Sequence, residues 1–178
     1  VNKLDEAQIL RTLDQGASAV MIPHIITVEQ AEFAANACKY PPTGVRGVAG
    51  GRMQYGVDDF FEKANAEVQC IALIEDFDAI ENLPEMTKVK GMDIFYVAPS
   101  DMAASMGLTG NPGHPDVQAA IDRAIGLVID NGGIAGTLTN DSNIDKYLAM
   151  GVKCVGVPWQ QWVMQSGTAF LERTRSAN

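Results

Sequence analysis

Two short apolar runs, each halted by an acid, restrict what this chain can fold into. Cys70-Ile71-Ala72-Leu73-Ile74 stops at Glu75-Asp76, and Ile94-Phe95-Tyr96-Val97-Ala98 stops at Pro99-Ser100-Asp101. Neither run alternates polar with apolar residues, which is the pattern of a parallel strand covered on both faces. Between them, Asp78 to Leu83 reads as a helix, with a glycine stop at Gly91. The stretch is therefore strand–helix–strand, with a carboxylate just past the carboxyl end of each strand. Parallel α/β proteins build their sites at that end. Neighbouring strands lie about 4.8 Å apart, so Glu75 and Asp101 can reach one shared ion.

The same rhythm runs along the chain. A helix ends at glycine and a short apolar strand begins: Gly16 before Ala19, Gly91 before Ile94, Gly132 before Ile134, Gly151 before Cys154. The spacing predicts strands over Ala19–Pro23, Ile134–Leu138 and Val152–Val157 beside the two runs above. Helices are predicted over Asp5–Gln15, from Val28 to about Cys38, from His114-Pro115 to Gly132, and from Gln160 to about Thr174. Thr27 and Gln30 form a capping-box pair at the second of these. Asp58 is a cap for a short helix through Phe60 and Phe61, and Asp141 or Ser142 for one through Tyr147. Val45–Gly56 and Met102–Gly113 read as loops. A closed (β/α)8 TIM barrel needs eight strands and typically about 250 residues. Five strands in 178 residues make either an open sheet or a barrel lacking its first three βα units. Val1–Leu4, which no strand precedes, favours the barrel: one domain over residues 1–178 covering about the last five units.

Composition narrows the partners. A formal charge of −9 argues against nucleic acid and anionic membrane surfaces. No apolar run approaches the roughly 20 residues of a membrane span, and Val1–Glu6 is no signal peptide. Cys38, Cys70 and Cys154 are an odd count without C-x-x-C spacing. They read as reduced thiols in a cytoplasmic protein with no disulfide inside the chain, Cys70 and Cys154 being buried in strands.

Several pieces together resemble the pyruvate-dependent class II aldolases of the 4-hydroxy-2-oxoheptanedioate and 2-dehydro-3-deoxyglucarate type, within a wider group of citrate lyase β-like enzymes. They are Leu13-Asp14-Gln15-Gly16-Ala17, Met21-Ile22-Pro23, Tyr40-Pro41-Pro42-Thr43-Gly44-Val45-Arg46-Gly47, Ile74-Glu75, Ala98-Pro99-Ser100-Asp101 and Gly113-His114-Pro115. The resemblance implies a β/α barrel and a divalent ion, Mg2+, Mn2+ or Co2+, on Glu75 and Asp101. It implies that the amides of Ser100 and Asp101 receive the carboxylate of a 2-oxo acid, and that Leu138 lines the methyl pocket. It implies a lyase that reversibly cleaves a 4-hydroxy-2-oxo acid into pyruvate and an aldehyde. It also implies a homohexamer whose last helix, residues 160–178, is exchanged between subunits. The chain departs from the family pattern at Ala98 (usually glycine), Leu73 (often glutamine) and Pro158-Trp159 (often aspartate). The family's histidine base and pyruvate-binding arginine belong to the first three units, so neither role falls on a residue of this chain. The rival readings are a citrate lyase-like enzyme acting on an acyl-CoA substrate and a non-catalytic barrel remnant.

The remaining side chains read structurally. His24 follows a strand-end proline and is expected to bond to backbone; His114 precedes a helix. Asp76 is expected beside the site or in solvent. Arg46 and Arg52 suit an anionic substrate tail or a neighbouring subunit equally. Gly50-Gly51 is no phosphate loop, because no lysine–serine/threonine pair follows at the required spacing. Trp159 and Trp162 suggest a buried contact between subunits.

Overall fold

The computed structural model describes residues 1–48 and 51–175. Gly50 of the glycine pair and the last three positions of the 160–178 segment lie outside the described residues. Five strands form one sheet: β1 (Ala19–Ile22), β2 (Gln69–Ile74), β3 (Ile94–Val97), β4 (Ile134–Leu138) and β5 (Cys154–Gly156). Each pairs in parallel with its sequence neighbour and no other, in the order β1-β2-β3-β4-β5. A doubly wound sheet reverses its strand order at a switch point. This one never does.

Strand periodicity divides the apolar residues between the two faces. Val20, Ile22, Cys70, Ala72, Ile74, Phe95, Val97 and Ala135 face the main core. There they meet α1 (Glu6–Asp14), α2 (Val28–Cys38), α4 (Leu83–Met86), α5 (Pro99–Ser105), α6 (Pro115–Asp130) and α7 (Ile144–Met150). Ile71, Ile94 and Tyr96, on the other face, form a small cluster with Ala19, Met21, Leu73 and Cys154, and no helix contributes to it. Those three residues are still buried, because the sheet curls over them. Helices on one side and a filled concavity on the other make the wall of a partial barrel. Tyr96 lies in that concavity with Ile71 and Ile94. A Cβ on Gly136 would stand 2.7 Å from its ring, and one on Gly156 would run into its hydroxyl oxygen. Glycine at these two strand positions is what admits the tyrosine.

Local chemistry sets most boundaries. Thr27 and Gln30 form the reciprocal capping box. Pro115 opens α6, whose N-cap His114 accepts the Asp116 N–H through Nδ1. Three expectations are corrected. The first third of the Met102–Gly113 stretch is helical: α5 runs to Ser105, started by Pro99 at N1 and carried by Met102-Ala103-Ala104. Helix α3 (Phe60–Glu67) has Asp59 rather than Asp58 at its N-cap, and α7 has Asn143. Cys154 is only half-buried, because β5 is an edge strand.

Candidate metal and substrate site

The site is assembled at the carboxyl ends of β1, β2 and β3. Glu75 is the first residue past β2 and is buried, 4% exposed. Across the strand gap, His24 follows Pro23 at the end of β1 with φ 54°. A non-glycine residue seldom adopts this left-handed conformation. Here it turns the His24 N–H onto Glu75 Oε1 at 3.0 Å. It also lays the imidazole beside both acids, Nδ1 being 2.9 Å from Asp76 Oδ2 and 3.3 Å from Glu75 Oε1. The expected backbone partner of His24 is therefore replaced by carboxylates, and Asp76 is tied to the histidine rather than released to solvent.

Asp101 enters from the first turn of α5, where Ala98 N–H bonds Ile74 carbonyl and holds the turn against the end of β2. The N–H groups of Ser100 and Asp101 lie in that first turn, where a helix has no partner to offer. Leu138, the last residue of β4, is 39% exposed.

The electrostatics follow from this crowding. Burial pushes the Glu75 carboxyl above the ordinary carboxylate range. The His24 N–H and imidazole pull it back, and the charges of Asp101 and Asp76 push it up again. The hydrogen bond that the His24 imidazole donates to Asp76 raises it; burial opposes this, and the charges of Glu75, Asp76 and Asp101 add to it. Three carboxylates thus repel one another around a single, largely exposed imidazole. Among the described residues, no three His, Cys, Asp or Glu side chains converge as a ligand set. Glu75 and Asp101, whose charges are felt by one another, offer two carboxylates as candidate donors. All-oxygen donors suit a hard divalent ion that keeps several waters, as Mg2+ does.

Arg46 lies elsewhere. It is 3% exposed, with Nη2 2.7 Å from Asp14 Oδ1 and its guanidinium 4.4 Å from the centre of the Tyr40 ring. Within this chain it is a structural ion pair joining α1 to the segment after α2, not a free anion receptor.

The profile of the HpcH/HpaI aldolase/citrate lyase family matches residues 1–160. The chain belongs to that family. The 4-hydroxy-2-oxo-heptane-1,7-dioate aldolase of Escherichia coli is 35% identical over 158 residues, which is 86% of this chain and 60% of the relative. The protein of the same name from Klebsiella pneumoniae subsp. pneumoniae is 37% identical over 172 residues, 94% of this chain and 65% of the relative. A crystal structure of a family protein from Burkholderia cenocepacia superposes with a TM-score of 0.88 at 28% identity, covering 97% of this chain and 71% of that one. The chain spans about three fifths of the length of the curated relatives it matches.

The motifs that carry the family resemblance contain Glu75 and the start of α5. Ile74-Glu75 and Ala98-Pro99-Ser100-Asp101 supply the acids and the helix-start amides. What sequence reasoning missed is the His24–Asp76 contact, which joins residues 52 positions apart. The available signal was the pairing of β1 with β2, which brings the two strand ends side by side.

Proposed function

We propose that this chain carries the metal-holding wall of a class II pyruvate aldolase. The reaction would be reversible cleavage of a 4-hydroxy-2-oxo acid into pyruvate and an aldehyde. The observation that carries the reading is the buried Glu75 carboxylate, held in place by the His24 N–H and facing other acids with too little positive charge nearby. A buried carboxylate among like charges is costly unless a cation joins it.

Glu75 and Asp101 would hold the divalent ion, Mg2+, Mn2+ or Co2+. When bound, that ion supplies a Lewis acid that withdraws charge from the 2-oxo oxygen. The chain's own groups do the rest of the positioning. The first-turn N–H groups of Ser100 and Asp101 receive the substrate carboxylate, where backbone donors and the helix end favour negative charge. Leu138 presents an apolar surface to the methyl group of pyruvate. His24 fixes the orientation of Glu75 through its main chain, so the carboxylate does not swing when the ion arrives.

Two further readings accompany this one. Helix α8 (Trp159–Arg175) leaves Trp159, Trp162, Met164 and Phe170 exposed. An apolar face of that size fits exchange of the helix between copies in a homohexamer, which light scattering after size exclusion tests directly. Three free thiols, two of them buried, fit a reducing, cytoplasmic compartment. No described helix is long and apolar enough to cross a membrane.

Exchange of the pyruvate methyl protons into deuterium, followed by NMR with and without Mg2+, tests the aldolase reading. Metal-dependent exchange is expected in an assembly that contains the whole barrel. Exchange no faster than in buffer with the same metal would exclude the reading.

A further inference from the structure

Past Leu138 the carboxyl-terminal end of the sheet opens into a cavity of about 510 Å3, between the start of α5, the start of α6 and the loop from β4 to α7. Not one of its lining side chains is charged. The chain itself fixes which way the amides in the wall face. Asn140 Oδ1 accepts the Ser142 N–H at 2.9 Å, and Asn143 Oδ1 accepts the Asn140 N–H at 2.8 Å. A main-chain N–H can only donate, so both oxygens face the chain, and each Nδ2 is left without a partner among the described residues. Gln118 is the reverse: Nε2 donates to the Pro112 carbonyl at 2.8 Å, leaving Oε1 open. Tyr147 also lines the cavity. It is 1% exposed, and no described residue hydrogen-bonds its hydroxyl. The phenol can both donate and accept a hydrogen bond.

This wall discriminates by charge. A carboxylate or phosphate entering it would lose hydration and meet no cation among the lining side chains; Lys146, 5.0 Å from the centre of the Tyr147 ring, is already paired with Asp122. A hydroxyl group, which donates and accepts, matches a wall offering amide donors, an amide acceptor and a phenol. We propose that the cavity is a subsite for an uncharged, polyhydroxylated chain, the aldehyde-derived half of the substrate. Its place in the reaction rests on the aldolase reading above. The new carbon–carbon bond forms at the pyruvate methyl carbon, that methyl packs on Leu138, and the cavity begins at Leu138.

The test is a saturation-transfer NMR titration of the full chain with erythritol, an unreactive uncharged tetrol, and with succinate as the anionic competitor. Erythritol is expected to bind and succinate not to displace it. Tyr147→Phe, which keeps the buried ring, and Gln161→Leu, at an exposed position on the rim, should each weaken erythritol at least threefold. No binding of erythritol, equal binding by the parent and Gln161→Leu together with any folded Tyr147→Phe, or displacement by succinate would each overturn the subsite. The readout needs neither metal nor pyruvate. If erythritol binds and responds to the variants while deuterium exchange is absent, the subsite stands and the aldolase reading falls.

Discussion

His24 donates its main-chain N–H to Glu75 Oε1 at 3.0 Å, across 51 positions of sequence, and does so from the left-handed region of backbone space. The contact staples the ends of β1 and β2 together and depends on backbone geometry more than on the imidazole. His24→Gly should therefore fold with stability close to the parent, since glycine adopts this φ freely. His24→Val should lose about 1–2 kcal/mol to conformational strain. Urea denaturation of the two variants checks the order; equal losses would mean that the ring, not the backbone, holds the strand ends.

Glu75→Gln keeps an oxygen to accept the His24 N–H and removes the charge. Its fold should be little changed, and Mn2+ affinity should fall at least tenfold, ~1.4 kcal/mol. Asp101→Asn should match it. Asp76→Asn, whose carboxylate is engaged by His24, should stay within about threefold of the parent, a difference of ~0.65 kcal/mol. Calorimetric titration of the three variants in an assembly containing the whole barrel decides; Mn2+ bound by Glu75→Gln as tightly as by the parent would place the site elsewhere.

Gly156→Ala sets a methyl group against the Tyr96 hydroxyl, with the ring carbon that bears it only 3.2 Å away. Overpacking of this kind costs about 1–3 kcal/mol. Adding Tyr96→Phe removes the oxygen and should recover part of the loss. Thermal unfolding of the single and double variants measures the coupling, and strict additivity would contradict the packing described above.

Burial pushes the Tyr96 phenol up to about 12; the neighbouring Cys154 adds to this and the Gly156 main chain pulls it back. The native state therefore binds the phenolic proton more tightly than the unfolded chain, whose tyrosine titrates near pH 10. The stability this contributes is fully present below pH 10 and is lost as pH rises from about 10 to about 12. Burial also raises Tyr40 and Tyr147, so ultraviolet difference titration should show a last-ionising tyrosine near pH 12 that is absent in Tyr96→Phe. Simultaneous ionisation of all four tyrosines near pH 10 in the folded protein would refute the buried placement.

The strands, and the position of Glu75 and Asp101 just past their ends, were legible because burial on both faces writes an uninterrupted apolar run with a clear stop. The capping box at Thr27 was legible for a similar reason, since its partners lie three residues apart. Helix α5 was not: Met102-Ala103-Ala104 carries too short a period to separate from a loop. Its helical state depends on Pro99 and on Ala98 being held to Ile74 across the sheet. Arg46 read as a possible ligand because nothing local shows that Asp14, 32 positions away, reaches it. The His24–Asp76 contact was hidden by the same distance in sequence. Local reading found the capping box at Thr27 but missed the caps of α3 and α7 by a residue or two; contacts between loops across a strand gap left no local trace at all.

Because every strand pairs only with the strand before and after it, the wall can be laid down in the order of synthesis. As each βα unit leaves the ribosome, its one earlier partner is already in place, and no strand waits for a distant segment to slot between two others. Such contacts close short loops, which is the condition for fast folding, and vectorial growth adds one moving unpaired edge at the advancing end to the standing edge at β1. That moving edge is the vulnerable surface during biogenesis, and a chaperone acting on this chain would have one strand at a time to shield.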